Sequence, residues 1–346
     1  MPDRRSPALR KPTVSVVIPT YNRAETVAAA IASALDQRDP PDEIIVVDDG
    51  SSDDTRDVLA AFGERIIAIH QANSGVSGAR NTGIRRATGT WIAFLDSDDV
   101  WYPERIAILR RDVCATDAGV HVANVDITAA TYQRNMFALT DFRFPNDNTR
   151  KYGSGLEALM HYPFTSGVAV RREWIARSGV FDVSLSIFED FDFLTRMSFL
   201  GPWLVSPVAL ANIRRQGDAR ASLSHLRVSD PVSAASAMIR SFERLLAHPS
   251  LSDRERNIIR RRLSHHRFEM AHGLARAGQT RAAYQSLLLS AKEHPSFKGW
   301  LRAAPALVFG KAGYRLISGR SRQFHRSRED QRHTGPAIDD HLNSSK

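Results

Sequence analysis

The chain has 346 residues, 42% hydrophobic and 25% charged, which is ordinary for a globular protein with a large core. Its formal net charge is +9 and Cys114 is its only cysteine, so an internal disulfide is excluded and a reducing compartment fits. No apolar run approaches the roughly 20 residues that span a bilayer, and the basic start of the chain lacks the apolar core of a signal peptide. We therefore expect a cytoplasmic protein.

Three apolar, β-branched runs in the first hundred residues end in polar or acidic residues and precede helix-like stretches. The runs and their polar ends are 14–18 with PTYN at 19–22, 43–47 with DD at 48–49, and 91–95 with DSD at 96–98. This pattern predicts parallel strands of βαβ units. Ligands of such open sheets bind at the carboxyl ends of the strands, so we expect the three polar ends to share one crevice.

The other elements are predicted from the spacing of apolar residues. Between residues 126 and 162 the pattern weakens, and it predicts long loops or a hairpin. The predicted helices are 26–35, 53–62, 76–87, one beginning at Pro103, 171–178, one beginning at Glu189, and then 233–246, 253–277 and 280–293. Further strands are predicted at 65–69 and 166–170, and none after about residue 230.

Three segments share a pattern in chain order: VSVVIPTYNRAETVAAAIASALDQ at 14–37, DEIIVVDDGSSDDT at 42–55 and NSGVSGARNTGIRRATGTWIAFLDSDDVW at 73–101. Together they resemble the nucleotide-sugar-binding half of family 2 glycosyltransferases, which have the GT-A fold. The resemblance covers roughly residues 12–215. It implies a Rossmann-like α/β fold with a mixed, mainly parallel sheet flanked by helices, followed here by an all-helical C-terminal extension.

The predicted organisation has four parts, of which the second carries the chemistry. They are a flexible lead-in at 1–11, a GT-A domain at 12–228, a helical region at 229–320, and a disordered basic tail at 321–346. Within the GT-A domain we expect a nucleotide-sugar-binding half at 12–100 and an acceptor half at 101–228.

The resemblance assigns the nucleotide to the polar ends of the first two strands and to a following helix. Pro19, Tyr21, Asn22 and Asp49 occupy positions that hold the nucleoside in the family. Tyr21 could stack on a base and Asp49 could accept a hydrogen bond from a uracil N–H. Arg80 matches the arginine that approaches the diphosphate. Taken singly, these residues would equally suit a turn tyrosine, a carboxylate at a helix N-terminus and a surface salt bridge.

The acidic motif at 96–98 is the candidate cation site. Aspartates two positions apart in a turn can offer hard oxygens to Mg²⁺ or Mn²⁺. The resemblance makes Asp98 the metal ligand, with the cation bridging diphosphate oxygens. It makes Asp96 either a partner of the donor ribose or a residue that supports the metal ligand Asp98. The spacing alone also suits a solvated turn in which Asp99 caps a helix.

One departure from the family pattern concerns this cation site. Many relatives have an Arg-X-His segment whose histidine helps to hold the metal, and the corresponding segment here, IRRQG at 213–217, has Gln216 instead. Gln216 could still offer a neutral oxygen, and His225 follows a few residues later. Which of the two completes the site is left open.

The segment FEDFD at 188–192 resembles the motif that carries the catalytic base in the family. Asp190 aligns with the base and Glu189 with a supporting residue. Asp190 would take the proton from the acceptor hydroxyl as that oxygen attacks the anomeric carbon opposite the diphosphate, which inverts the anomeric configuration. The acids also suit simple capping of a helix N-terminus, and for Asp192 capping is the expected role.

These features predict an inverting, metal-dependent glycosyltransferase that moves a single sugar. The donor is a nucleoside-diphosphate sugar, UDP-linked by preference with dTDP and GDP left open, and the acceptor is a hydroxyl of a cell-surface polysaccharide or lipid-linked saccharide. The Gln-X-X-Arg-Trp signature of processive synthases is missing. A nicotinamide enzyme is disfavoured because no Gly-X-Gly-X-X-Gly follows the first strand. The alternative is a non-catalytic nucleotide-sugar-binding or scaffolding relative.

The stretch 298–332 carries nine Lys and Arg residues against Glu329 and Asp330. Such a stretch suits an anionic membrane surface, here the inner face of the plasma membrane, and it equally suits a solvated tail. We find no aromatic-basic motif of an RNA-binding module, so nucleic acid is a poor candidate for a partner.

Overall fold

The structure is a computed structural model that describes residues 11–114, 116–129, 132–140, 142–144, 151–161, 163–215 and 230–294. The described residues form two compact units. The first comprises 11–184 and 189–215 and contains the sheet, and the second comprises 185–188 and 230–294 and is helical.

The described strands of the first unit join in one sheet. In chain order they are β1 Val14–Thr20, β2 Glu43–Asp48, β3 Ile67–His70, β4 Trp91–Phe94, β5 Val100–Trp101, β6 Val120–Ala129, β7 Tyr132–Asn135, β8 Lys151–Ser154, β9 Val168–Arg171 and β10 Pro202–Arg215. The strand order is β3-β2-β1-β4-β9-β6-β10-β5, with β7 beside β6 and β8 beside β10.

The sheet is mixed, as predicted, and its parallel pairs are concentrated where the sequence pattern was strongest. β1 pairs in parallel with β2 and with β4, and β2 with β3. β9 then runs antiparallel between β4 and β6, and β6 pairs in parallel with β10. Because β1, β2 and β4 are parallel, their polar carboxyl ends meet at one edge of the sheet.

The helices of the first unit follow the apolar spacing of the sequence. They are α1 Val27–Leu35, α2 Thr55–Ala60, α3 Gly75–Arg86, α4 Arg105–Val113, α5 Met136–Thr140, α6 Gly155–Leu159, α7 Arg172–Ser178 and α8 Glu189–Met197. α1 buries Val27, Ala30, Ile31 and Ala34, which is the i, i+3, i+4, i+7 stripe of an amphipathic helix.

Three details of the first unit differ from the sequence prediction. Residues 126–162 hold the hairpin of β6 and β7 and also two short helices and β8, so long loops alone were the wrong description. The strand expected from residue 166 begins at Val168, because a 3-10 turn occupies Thr165–Gly167. Asp99 is not a helix cap, since α4 begins at Arg105 and the Asp99 side chain is buried.

The second unit consists of three helices, α9 Pro231–Leu246, α10 Asp253–Arg276 and α11 Thr280–Glu293, which confirms the predicted helical extension. The Ser252 hydroxyl and the Glu255 side chain form a reciprocal capping box at the start of α10. In the described residues no helix has the length and apolar character needed to cross a membrane. The basic stretch 298–332, Gln216 and His225 lie outside the described residues.

Candidate functional site

The loops that follow β1 and β2 are tied together by hydrogen bonds. Pro19, in β1, is paired with β2, and Tyr21 directly after the strand keeps 48% of its surface exposed. Asn22 has a φ of 50°. Its Oδ1 accepts a hydrogen bond from the Ser52 N–H at 2.8 Å, and its own N–H donates to the Ser51 hydroxyl at 2.9 Å. The exposed Tyr21 ring is therefore presented from an anchored loop.

Asp49 is buried at the end of β2 and holds the loop before α3. Its Oδ1 accepts from the Gln71 amide at 2.6 Å and from the Ser74 N–H and hydroxyl at 3.0 and 3.1 Å. The preceding Asp48 pairs with His70 at 2.9 Å. Burial would raise the pKa of Asp48, but hydrogen bonds from Ser51 and the contact with His70 outweigh it and keep the pKa below the ordinary value.

The acidic loop, residues 96–99, follows β4 and concentrates negative charge. The Asp98 side chain is 41% exposed and lies 3.6 Å from the Arg23 guanidinium, and the Asp96 side chain is 31% exposed. Burial and the charge of Asp96 raise the pKa of Asp98. Burial and the charges of Asp96 and Asp98 raise the pKa of Asp99 well above its ordinary value. A nearby cation would stabilise this group of carboxylates.

Arg80 connects the acidic loop to the segment that carries the candidate base. It is buried in α3, and its Nη1 donates to Glu189 Oε1 while its Nη2 donates to Asp96 Oδ1, both at 2.7 Å. Burial opposes its charge, but attraction to Asp96 and Glu189 outweighs burial and raises the pKa of Arg80. Arg80, which was predicted to approach the diphosphate, thus forms ion pairs with two carboxylates, Asp96 of the acidic loop and Glu189 of α8.

Asp190 lies in the first turn of α8, beside Glu189. Its Oδ1 accepts a hydrogen bond from the Phe191 N–H at 2.7 Å, and its Oδ2 accepts one from the Thr165 hydroxyl at 3.2 Å. Burial and the charge of Glu189 raise the pKa of Asp190 to about 7, against the opposing charge of Arg80. A carboxyl group with this pKa can gain and lose a proton near neutral pH, which suits a general base.

The donors present fit a divalent cation that is also held by a substrate. Asp98 offers exposed carboxylate oxygens and Asp96 lies next to it, which is the hard-oxygen chemistry that Mg²⁺ and Mn²⁺ prefer. Within the described residues no group of three or more His, Cys, Asp or Glu side chains could hold a metal ion. Phosphate and water would therefore have to supply further ligands, as is common for Mg²⁺.

Four residues of this site were missed in the sequence prediction. Gln71 and Ser74 anchor Asp49, and Thr165 and Ser166 contact Asp190 and the acidic loop. Gln71 and Ser74 follow β3, so the rule that polar strand ends meet could have included them. Thr165 and Ser166 are ordinary residues in an apolar stretch, and no local signal distinguishes them.

Residues 15–178 match the model described as Glycosyl transferase family 2. The chain contains a family 2 glycosyltransferase domain. The match includes Tyr21, Asp49, Arg80 and the acidic loop, and it ends before Asp190. The match thus covers the residues that were predicted to bind the nucleotide sugar, while the candidate base Asp190 lies outside it.

Two relatives show how far this likeness extends along the chain. The uncharacterized glycosyltransferase alr2836 of Nostoc sp. is 34% identical over 193 residues, covering 54% of this chain and 60% of that protein. UDP-Glc:alpha-D-GlcNAc-diphosphoundecaprenol beta-1,3-glucosyltransferase WfgD of Escherichia coli is 41% identical over 95 residues, covering 27% of this chain and 38% of that protein. The chain spans less than two thirds of the length of either relative.

A solved structure shows that the likeness in fold extends beyond the family 2 domain. The crystal structure of S. aureus TarS 1-349 in complex with UDP-GlcNAc superposes with a TM-score of 0.66 at 18% identity. It covers 90% of this chain and 92% of the TarS chain. The GT-A fold with its C-terminal helices is thereby confirmed.

Proposed function

We propose that this chain is an inverting, metal-dependent glycosyltransferase that moves one sugar from a UDP-sugar to a hydroxyl of a surface polysaccharide or lipid-linked saccharide. The observation that carries the proposal is the Arg80 bridge, which joins Asp96 of the acidic loop to Glu189, the neighbour of Asp190. A direct displacement requires the donor and the base to be held close together, and the Arg80 bridge supports that arrangement because it ties the acidic loop to the neighbour of Asp190. The UDP-Glc donor and diphosphoundecaprenol acceptor in the name of WfgD support the choice of substrates.

The nucleotide would bind at the carboxyl ends of β1 and β2. The exposed Tyr21 ring can stack on the base. Gln71 and Ser74 hold Oδ1 of the buried Asp49, so Asp49 would accept from the base N–H through Oδ2. Asp98, with Asp96 beside it, would hold Mg²⁺ or Mn²⁺, which when bound offsets the negative charge of the diphosphate. Gln216 and His225, as further candidate ligands, stay predictions.

Asp190 would act on the acceptor. The acceptor oxygen forms a bond to the anomeric carbon while the bond from that carbon to the diphosphate oxygen breaks, and UDP leaves with the electron pair of that bond. The acceptor proton passes to the Asp190 carboxylate, and attack from the face opposite the diphosphate inverts the anomeric centre. Arg80 and Thr165 hold the groups around this carboxylate in place.

The experiment is a panel of UDP-sugars with Mn²⁺, in which UDP release is measured with and without saccharide acceptors. We expect turnover of one donor, and a loss of at least about 100-fold in Asp190→Asn because general-base catalysis contributes 10²–10⁴-fold. Removing the metal with EDTA should abolish turnover, and added Mn²⁺ should restore it. Asp182→Asn, in the loop before α8, is the matched control and should keep the wild-type rate.

The outcomes separate the two candidate functions. If the chain binds UDP but turns over none of the donors with any acceptor, the catalytic proposal is wrong and the non-catalytic, scaffolding alternative is supported. Turnover that Asp190→Asn does not reduce would leave a glycosyltransferase with a different base.

A further inference from the structure

A single short turn, Thr165–Gly167, contacts both sides of the proposed site. It forms one turn of 3-10 helix between Phe164 and β9, and all three of its residues are buried. Thr165 and Ser166 lie within the matched range 15–178 but outside the sequence motifs from which the resemblance was identified. We call Thr165–Gly167 the central turn.

On the base side, the central turn contacts Asp190 through Thr165. The Thr165 hydroxyl donates to Asp190 Oδ2 at 3.2 Å, and the Phe191 N–H donates to Asp190 Oδ1 at 2.7 Å. Each carboxylate oxygen therefore accepts a hydrogen bond. This pair fixes the rotation of the carboxylate and stabilises its ionised form.

On the donor side, the central turn contacts the acidic loop through Ser166. The Ser166 hydroxyl donates to Asp99 Oδ2 at 2.6 Å and accepts from the Asp96 N–H at 3.1 Å. The other oxygen of Asp99 accepts from the Arg214 N–H at 3.1 Å. Ser166 is fully buried, so its hydroxyl fixes the backbone of the loop from which Asp96 and Asp98 extend.

The backbone carbonyls of the central turn are held by side chains of Trp101 and Arg105. The Trp101 indole N–H donates to the Ser166 carbonyl at 2.8 Å, and Arg105 Nη2 donates to the Gly167 carbonyl at 3.2 Å. The Arg105 guanidinium lies 5.6 Å from the centre of the Trp101 ring. A Cβ atom at Gly167 would lie 2.9 Å from the Ala123 carbonyl oxygen, so the turn packs closely against β6 and has no room for a side chain at this position.

We infer that Thr165 and Ser166 are positioning residues, Thr165 for the base Asp190 and Ser166 for the donor-binding acidic loop. The inference rests on the proposed function and adds a division of labour to it. Adjacent residues on one rigid turn set the distance between the group that receives the proton and the loop that holds the diphosphate. Loss of the Thr165 hydroxyl should impair proton transfer to Asp190 and spare donor binding. Loss of the Ser166 hydroxyl should weaken donor binding and leave the pH dependence of Asp190 unchanged.

The Thr165 half is tested with Thr165→Val, which keeps the shape and removes the hydroxyl. We expect kcat to fall about tenfold, the KM for the donor to stay unchanged, and the acid limb of the pH–rate profile to move to higher pH, because the ionised carboxylate loses a donor. Thr165→Ser should restore both values. Thr195→Val is the matched control, since the buried Thr195 hydroxyl meets no hydrogen-bond partner among the described residues.

The Ser166 half is tested by calorimetric titration of UDP with Mn²⁺, which needs no turnover. We expect Ser166→Ala to weaken UDP binding about tenfold and to leave the acid limb in place. Ser206→Ala is the matched control, because the buried Ser206 hydroxyl has no hydrogen-bond partner in the described part of the chain. The double variant Ser166→Ala with Asp99→Asn should bind UDP no more weakly than the weaker single variant, as for two members of one contact.

Two results would overturn the inference. One is that both variants behave like their controls, and the other is that each lowers kcat and UDP affinity together, in proportion to a fall in Tm. If the wild type binds UDP but transfers no sugar, the proposed function fails instead. UDP binding then still decides the role of Ser166, and the pH dependence of Tm in Thr165→Val against Thr195→Val decides that of Thr165.

Discussion

The protonation of Asp190 is set by a small number of neighbours. Burial and the charge of Glu189 favour the neutral acid and raise its pKa to about 7, while Arg80 and the Phe191 N–H favour the carboxylate. A base must be ionised to accept a proton. Because the pKa of Asp190 is close to neutral pH, a small change in its surroundings changes the fraction of Asp190 that is ionised and active. Arg80 also pairs with Glu189, which limits how far Glu189 raises the pKa of Asp190.

The rate of sugar transfer should depend on pH through the ionisation of Asp190. Because only the ionised form of Asp190 can accept the proton, kcat/KM should rise with pH and level off above about 7, the pKa of Asp190 in the free protein. The measurement is the initial rate between pH 5 and pH 9 with a fixed donor and acceptor. A rate that is flat down to pH 5 would contradict the assignment of Asp190 as the base.

The same pKa fixes the sign of a stability change. Since the pKa of Asp190 is higher in the folded chain than the ordinary value of 3.8, the folded state holds this proton more tightly than the unfolded state. Its contribution to stability is therefore largest below pH 4 and is lost as the pH rises towards 7. Asp190→Asn, which cannot ionise, should have a higher Tm than the wild type at pH 8 and a smaller advantage at pH 5.

At the scale of elements, the site depends on how closely α3 approaches β1. Gly83 faces Val17, and a Cβ atom at residue 83 would lie inside the contact distance of Val17 Cγ1. This close approach keeps Arg80, one turn earlier in α3, within reach of Asp96 and Glu189. The absence of a side chain at residue 83 thus allows the close packing of α3 on β1 that positions the Arg80 guanidinium between Asp96 and Glu189.

We expect Gly83→Ala to lower the free energy of unfolding by about 1–3 kcal/mol, because overpacking a buried contact costs more than the better helix propensity of alanine returns. UDP affinity should fall as well, since the helix would have to move. Gly153→Ala in β8 is the control, because a Cβ atom there would meet nothing within 4 Å. The measurements are urea unfolding and UDP titration of both variants. Equal effects of Gly83→Ala and Gly153→Ala would show that the packing of Gly83 against Val17 is not tight.

At the scale of the whole molecule, the excess of positive charge is unevenly distributed along the sequence. The net charge is +9, and the stretch 298–332 holds nine cations against two acids. A lipid-linked acceptor would bring the chain to an anionic surface, where each basic residue contributes roughly 1 kcal/mol to binding. The basic stretch lies outside the described residues, so its role as a membrane contact stays a prediction.

We expect the full chain to sediment with vesicles that contain anionic phosphatidylglycerol, and to be released by high salt, because the attraction is screened. Replacing Arg320, Arg322, Arg326 and Arg328 with glutamine should weaken this binding by orders of magnitude. The matched control replaces four exposed arginines of α10, namely Arg254, Arg260, Arg261 and Arg276. Equal loss in both variants would indicate a general effect of charge, and no loss would indicate a solvated tail.

The sequence by itself determined the parallel part of the sheet and the meeting of its polar strand ends at one edge. The strands at 14–18, 43–47 and 91–95 are mostly apolar and end in polar residues, and that pattern is local, so it can be recognised without a structure. The helical extension was equally visible from its apolar spacing. The segment 126–162 and β10 were not, because short helices and strands paired over long distances carry little local signal.

Only the tertiary structure decided how the two halves of the site are joined. Arg80 and Glu189 are 109 residues apart, and Ser166 and Asp99 are 67 apart, so no spacing rule links them. Sequence motifs report groups that are close along the chain, whereas a buried ion pair or hydroxyl is selected by the groups that packing brings against it. The central turn was therefore invisible until the sheet had placed it between the acidic loop and Asp190.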